Sequence, residues 1–370
     1  MKVLMIVGTR PEAIKMIPVY RTLSAREDMT ACLLLTGQHR EMARSVLDLF
    51  GVNADIDLDL MEHGQTLLSL SARLTAGLSR VIVDEQPDVI LVQGDTTSAM
   101  IGGMLGFYAG CRVGHIEAGL RTGNLASPFP EEFNRRVITL GAHWHFAPTA
   151  AAAENLRSEG ITLNVHTVGN TVIDAALDMA DQMTPGKAAM FDQLPFLDDS
   201  SGKSVLVTVH RRENIGTRMA GIAAAVGELA TLHSSTHFVV PVHPNPAVGA
   251  VVRPILESLE NVHLIAPLYY DQMIYMLSRA FLVLTDSGGI QEEAPSFNVP
   301  VLVLRNESER MEGVDAGCSR LVGTEPSCIV KEAQTLLSDP VAHAMMANSA
   351  NPYGDGCASQ KIAQILSGIE

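Results

Sequence analysis

Ten short runs of apolar, largely β-branched residues recur along this chain, and they restrict its fold more than any other feature. Val3–Val7, Leu33–Thr36, Val89–Val92, Val113–Ile116 and Val165–Val168 lie in the first half. Val205–Val209, Phe238–Val242, Val262–Ile265, Leu282–Thr285 and Val301–Leu304 lie in the second. None of them alternates apolar with polar residues, so each reads as a strand covered on both faces. Stretches with helical spacing separate them, which implies parallel sheets with helices between the strands. The expected fold class is therefore α/β, with two doubly wound domains.

The segment 183–203, rich in Pro, Gly, Asp and Ser, separates the two series, and the change of core can begin as early as Gly169-Asn170. The expected division is 1–170, 171–350 and a terminal stretch 351–370. In that last stretch a helix follows the break Asn351-Pro352-Tyr353-Gly354-Asp355-Gly356 and crosses back to the first domain. A length of 370 residues suits two domains.

Charge narrows the function classes. With 26 Lys and Arg against 41 Asp and Glu, the net charge of −15 disfavours broad contact with nucleic acid or anionic lipid. An anionic small molecule would need a local basic site. The cysteines Cys32, Cys111, Cys318, Cys328 and Cys357 form no C-x-x-C pair, so neither a disulfide framework nor a zinc module is expected. The first apolar run stops at Gly8-Thr9-Arg10-Pro11, too short for a signal-peptide core, and the uncharged stretches after Asp95 and Arg136 are broken by Gly or Pro. A soluble cytoplasmic protein is expected.

In open parallel sheets ligands bind beyond the carboxyl ends of the strands, so the residues following each run carry the most weight. After the first run, GTRPEAIK offers Arg10 and Lys15 to a phosphate, although a capped strand-to-helix turn with surface charges explains it equally well. Asp95 in QGDTTSAM has a capping explanation as well. Glu117 in HIEAGLRTG is harder to dismiss, because nothing about a buried strand end requires a carboxylate. In SPFPEEFNRR, Glu131 and Glu132 each have an arginine four residues on, so a dipole-matched, salt-bridged helix accounts for them without function.

The most specific segment follows Leu282–Thr285. Ser287-Gly288-Gly289 exposes backbone N–H groups at the start of a helix, suited to a diphosphate, and Glu293 lies where a carboxylate can accept paired ribose hydroxyls. The cluster His210-Arg211-Arg212 and Arg310 supply cations. His143-Trp144-His145 could ligate a metal, but an H-x-H without a carboxylate partner is more often structural. Anion-binding features thus occur in both halves, while Asp95, Glu117 and Glu131 all come from the first. A nucleotide diphosphate with an attached group facing carboxylates fits that division, and a nucleotide sugar fits it well.

These residues resemble the non-hydrolysing UDP-N-acetylglucosamine 2-epimerase family over almost the whole chain. The strings that carry the resemblance are GTRPEAIKM, QHREM, GDTTS, VGHIEAGLRTG, SPFPEEFNRR, GNTVIDA, HRREN, PVHPNP, LTDSGGIQEEAPS and NPYGDG. The resemblance implies two Rossmann-like domains in the glycosyltransferase-B arrangement, an active site in the interdomain cleft, a homodimer, and no cofactor or essential metal. It implies that Arg10, His210, Ser287, Gly288, Gly289, Glu293 and Arg310 bind UDP, with Leu268 and Met273 touching uracil. By the same resemblance Asp95, Glu117 and Glu131 surround the sugar, and Lys15, Arg135 and His210 support the acidic cluster or the leaving group. Asp95, Glu117, Glu131 and His210 are thereby the catalytic set. Gln38, His39, Gln65 and His243 match residues near a second, activating UDP-N-acetylglucosamine site of bacterial members. Gly64 departs from the arginine of some regulated relatives, and Gln93 stands where histidine is common.

The implied reaction interconverts UDP-N-acetylglucosamine and UDP-N-acetylmannosamine. A C2 proton beside no carbonyl is weakly acidic, so breaking the C1–O bond to UDP makes its removal feasible, with 2-acetamidoglucal as the intermediate. A glycosyltransferase, a hydrolysing epimerase and a non-catalytic nucleotide-sugar sensor are the rival readings.

Overall fold

The computed structural model describes residues 1–370 except His39, His63, 184–193, 198–201, Arg212, Glu213, Glu309, 369 and 370. The expected activating residue His39 therefore lies outside the described residues, as do Arg212 of the basic cluster and most of the Pro- and Gly-rich connection.

The chain forms two compact units, Met1–Ala175 together with Tyr353–Glu370, and Ala176–Pro352. The first is built on a seven-stranded sheet of β1 (Lys2–Val7), β2 (Thr30–Leu35), β3 (Ile56–Asp57), β4 (Val89–Gln93), β5 (Arg112–Ile116), β6 (Trp144–Ala147) and β7 (Val165–Thr167). Its order is β3-β2-β1-β4-β5-β6-β7, and neighbouring strands pair in parallel. The second has six strands: β8 (Lys203–Thr208), β9 (Thr236–Pro241), β10 (Val262–Ile265), β11 (Leu282–Thr285), β12 (Val301–Val303) and β13 (Ser319–Leu321). They run β10-β9-β8-β11-β12-β13, again in parallel. Both sheets follow the doubly wound order, which reverses between β1 and β4 in one and between β8 and β11 in the other.

The aliphatic runs form these sheets because each strand is covered on both faces. Leu4, Ile6, Ile90 and Val92 pack with the helices Leu67–Glu85 and Thr97–Tyr108 in the first unit. Val205, Val207, Phe238, Leu282 and Leu284 form the corresponding core of the second. The helix Thr97–Tyr108 rides unusually close to its sheet. A Cβ at Gly102 would lie 2.6 Å from Ile6 Cδ1, and one at Gly106 2.9 Å from Val113 Cγ2. That approach sets the height of the Asp95-Thr96 turn at the helix start.

The terminal helix Ala358–Leu366 belongs to the first unit. The buried Asp174 accepts hydrogen bonds from the backbone N–H groups of Ala358 (3.2 Å) and Ser359 (2.7 Å). Asn170 N–H donates to Tyr353 O at 2.6 Å, where the chain crosses itself at Gly169 (φ 100°) and Gly354 (φ 145°). Among the described residues no helix is long and apolar enough to cross a membrane.

Candidate active site

In the first unit the residues after β1, β4 and β5 meet at the point where the strand order reverses. Glu117 follows β5 with φ 66°, a left-handed conformation that a non-glycine residue adopts only under the constraint of its surroundings. Lys15 Nζ, from the first turns of the helix Arg10–Ser24, reaches both its oxygens at 2.7 and 2.8 Å. Gln93 Nε2, at the end of β4, donates to the same carboxylate.

Asp95 sits one residue beyond Gly94, in the turn that Thr96 closes by accepting the Ala99 N–H at 3.0 Å. Its side chain pairs with Arg135, and its backbone carbonyl accepts from Asn134 Nδ2 at 2.8 Å. The Asp95 carboxyl is held above its ordinary range. Burial is the main cause, Arg135 opposes it, and the charges of Glu117 and Glu131 reinforce it. The three carboxylates thus lie near enough to feel one another.

Glu131 opens the helix Glu131–Gly141, and its Oε2 is buried with no hydrogen-bond partner among the described residues. The salt-bridged-helix explanation predicts four-residue pairs for both glutamates. Glu132 follows it, with Arg136 at 3.0 Å, and also accepts from Arg135 at 3.3 Å and the Thr122 N–H at 3.0 Å. For Glu131 the expected partner Arg135 is engaged with Asp95 instead.

One further carboxylate was not singled out by the sequence reading. Glu12, 1% exposed, accepts at Oε2 from Gly8 N–H (3.1 Å), Thr9 N–H (2.7 Å) and the Thr9 hydroxyl (2.8 Å). Its Oε1 accepts from the Thr96 hydroxyl at 2.7 Å. It ties the turn that carries Arg10, which is partly buried at the start of its helix, to the turn that carries Asp95. Burial pushes its pKa up to about 7 against these four hydrogen bonds. The sequence signal for it is the capping-box spacing Thr9-Arg10-Pro11-Glu12 inside GTRPEAIKM.

In the second unit the corresponding reversal brings together the ends of β8 and β11. His210 lies two residues past β8, and its ring is near-parallel to that of His243 at 5.9 Å. Asp286 directly follows β11 and is wholly buried. Ser287 precedes the short helix Gly288–Glu293, its N–H bound to Thr285 Oγ1 at 2.9 Å. A Cβ at Gly288 would lie 2.7 Å from Arg310 Cζ, whose Nε donates to Glu292 at 2.7 Å, so any side chain there displaces the guanidinium. Gly289 faces open space, and Glu293 is buried. Leu268 and Met273 are half-buried beyond β10, on either side of the start of the helix Tyr270–Arg279.

The residues expected at a second ligand site are spread more widely. Gln38 accepts from the Ser98 hydroxyl at 2.8 Å, in the first turn after Asp95. Gln65 accepts from the Glu62 N–H at 3.2 Å within its own loop and from Arg73 of the helix Leu67–Glu85. His243 lies in the second unit beside His210. Among the described residues no three His, Cys, Asp or Glu side chains are grouped to hold a metal ion.

Two all-parallel units, each gathering charged side chains where its strand order reverses, define the doubly wound α/β class, whose ligands bind beyond the carboxyl ends of the strands. Residues 21–367 match the family model of UDP-N-acetylglucosamine 2-epimerase. The chain belongs to that family. It is 45% identical over 369 residues to UDP-N-acetylglucosamine 2-epimerase of Neisseria meningitidis, covering 99% of each chain. It is 46% identical to that of Yersinia pestis, covering 99% of this chain and 98% of the relative. The crystal structure of UDP-GlcNAc 2-epimerase from N. meningitidis bound to UDP-GlcNAc matches with a TM-score of 0.87 at 44% identity, over 100% of both chains.

Proposed function

We propose that this enzyme interconverts UDP-N-acetylglucosamine and UDP-N-acetylmannosamine by eliminating UDP to give 2-acetamidoglucal and adding it back. The nucleotide is held by the second unit through His210, the Ser287-Gly288-Gly289 turn, Glu293 and Arg310, with Leu268 and Met273 at the uracil. The sugar is worked on by Asp95, Glu117 and Glu131 of the first unit, with Lys15 and Arg135 balancing the negative charge, and Arg10 binds UDP.

The observation that carries this reading is the unequal state of the three carboxylates. Asp95 and Glu117 are paired with Arg135 and Lys15, while Glu131 keeps a buried oxygen without a partner among the described residues. A buried acceptor left empty is costly, so it is retained where a ligand fills it. An elimination needs one group to take the C2 proton and, for re-addition on the other face, one to return it. It also needs charge stabilisation at the sugar and at the leaving diphosphate. The elimination is redox-neutral: the C2–H pair becomes the C1–C2 double bond as the C1–O pair leaves with UDP.

The test is incubation of the purified protein with UDP-N-acetylglucosamine alone, in deuterium oxide. The epimer should form with deuterium at C2. Free N-acetylmannosamine and UDP would indicate hydrolysis, unchanged substrate without an added acceptor a transferase or a sensor, and epimer with its original C2 hydrogen a different mechanism.

A further inference from the structure

Asp286 is a fully buried carboxylate with no part in the proposed chemistry, and among the described residues its side chain accepts hydrogen bonds from the loop after β8. The His210 N–H donates to both oxygens at 3.1 Å, and the Arg211 N–H and Asn214 Nδ2 donate to Oδ2 at 3.0 and 2.9 Å. The strands explain the placement. Thr208 and Thr285 are register partners on β8 and β11, their hydroxyls 2.6 Å apart, so the chain just beyond each emerges side by side.

These donors anchor the loop, and a carboxylate at 0% exposure gains further from a cation lying against it. The group in that position is the His210 ring, with Nδ1 3.4 Å from Asp286 Oδ1. His243 is turned elsewhere, its Nδ1 accepting the Asn245 N–H at 3.1 Å.

We propose that Asp286 is a positioning residue for His210. It holds the imidazole with Nδ1–H directed at its own Oδ1 and favours the imidazolium, whose Nε2–H donates to the diphosphate oxygens as the C1–O bond breaks. No proton changes hands in this role; the imidazolium stabilises charge. The proposal rests on the reading of His210 at the leaving group given above.

The experiment is a double-mutant cycle of Asp286→Asn and His210→Gln in the full chain, with kcat and KM measured separately and folding checked by thermal unfolding. Asp286→Asn should lower kcat by ~10- to 100-fold with KM within about threefold. On the His210→Gln background it should cost nothing further. Fold losses that multiply, or an Asp286→Asn kcat near wild type, would overturn the positioning role alone. Wild-type kcat in His210→Gln would overturn the reading of His210 as well as this proposal. If Asp286→Asn does not fold, 15N spectra of the histidine-labelled wild-type chain decide, with the His210 signals assigned by their loss in His210→Gln. A doubly protonated His210 imidazolium at neutral pH supports the proposal, and a neutral His210 in either tautomer rejects it.

Discussion

Replacing Glu12 by glutamine should stabilise the protein at alkaline pH while leaving it unchanged in mild acid. Glu12 is fully enclosed, and its pKa is raised from 4.5 to about 7 chiefly by burial. A folded-state pKa above the unfolded value means that the folded chain holds a proton the unfolded chain has lost. The associated stability is fully present below pH 4.5 and is lost as pH rises through about 7. At ~1.4 kcal/mol per pH unit, the deficit above pH 7 is on the order of 3 kcal/mol. An amide matches the protonated acid in shape. Its oxygen can accept the Gly8 and Thr9 N–H groups, and its NH2 can donate to the Thr96 hydroxyl, which still accepts from Ala99 N–H. Urea unfolding of both proteins from pH 4.5 to 8.5 should therefore show coincident stabilities at the acid end and Glu12→Gln ahead by ~2–3 kcal/mol at the alkaline end. Glu12→Ala, which orphans two backbone N–H groups and two hydroxyls, should be destabilised at every pH. If Glu12→Gln were the less stable protein at pH 8.5, the four donors would be holding an ionised carboxylate and the reasoning would be wrong.

The buried imidazoles act in the opposite direction. Burial pushes His115 down to about 3 and His145 to about 4, so their contribution is present above the unfolded value near 6.5 and lost as pH falls; His145→Phe should flatten the acid limb of the stability curve. Asp95→Asn, Glu117→Gln and Glu131→Gln should each lower turnover by ~10²-fold or more while UDP still binds, and near-normal turnover in all three would sink the carboxylate mechanism. Glu293→Ala should weaken UDP binding by roughly 1.5–3 kcal/mol in calorimetry, as expected for a lost charge-assisted hydrogen bond. Gly288→Ala, whose Cβ would press on the Arg310 guanidinium and shift it from Glu292, should reduce UDP affinity by roughly tenfold without loss of secondary structure.

The α/β class and ten of the strands were legible because a strand covered on both faces must be apolar at consecutive positions, and aliphatic runs record that directly. The strands that escaped notice lack such runs. β3 is two residues long, β13 reads Ser-Arg-Leu at a sheet edge, and β6 reads Trp-His-Phe-Ala, where His145 interrupts the apolar run. Local spacing likewise described the pair Glu132–Arg136, because residues four apart on a helix are neighbours whatever the rest of the chain does. It could not show that Arg135 turns from Glu131 to Asp95, forty residues away, nor that Glu12 spans to Thr96 or Asp286 to His210. Those partnerships arise only when parallel strands set distant turns side by side at the point of reversal, so side-chain chemistry was readable in sequence while its pairing was decided by the sheet.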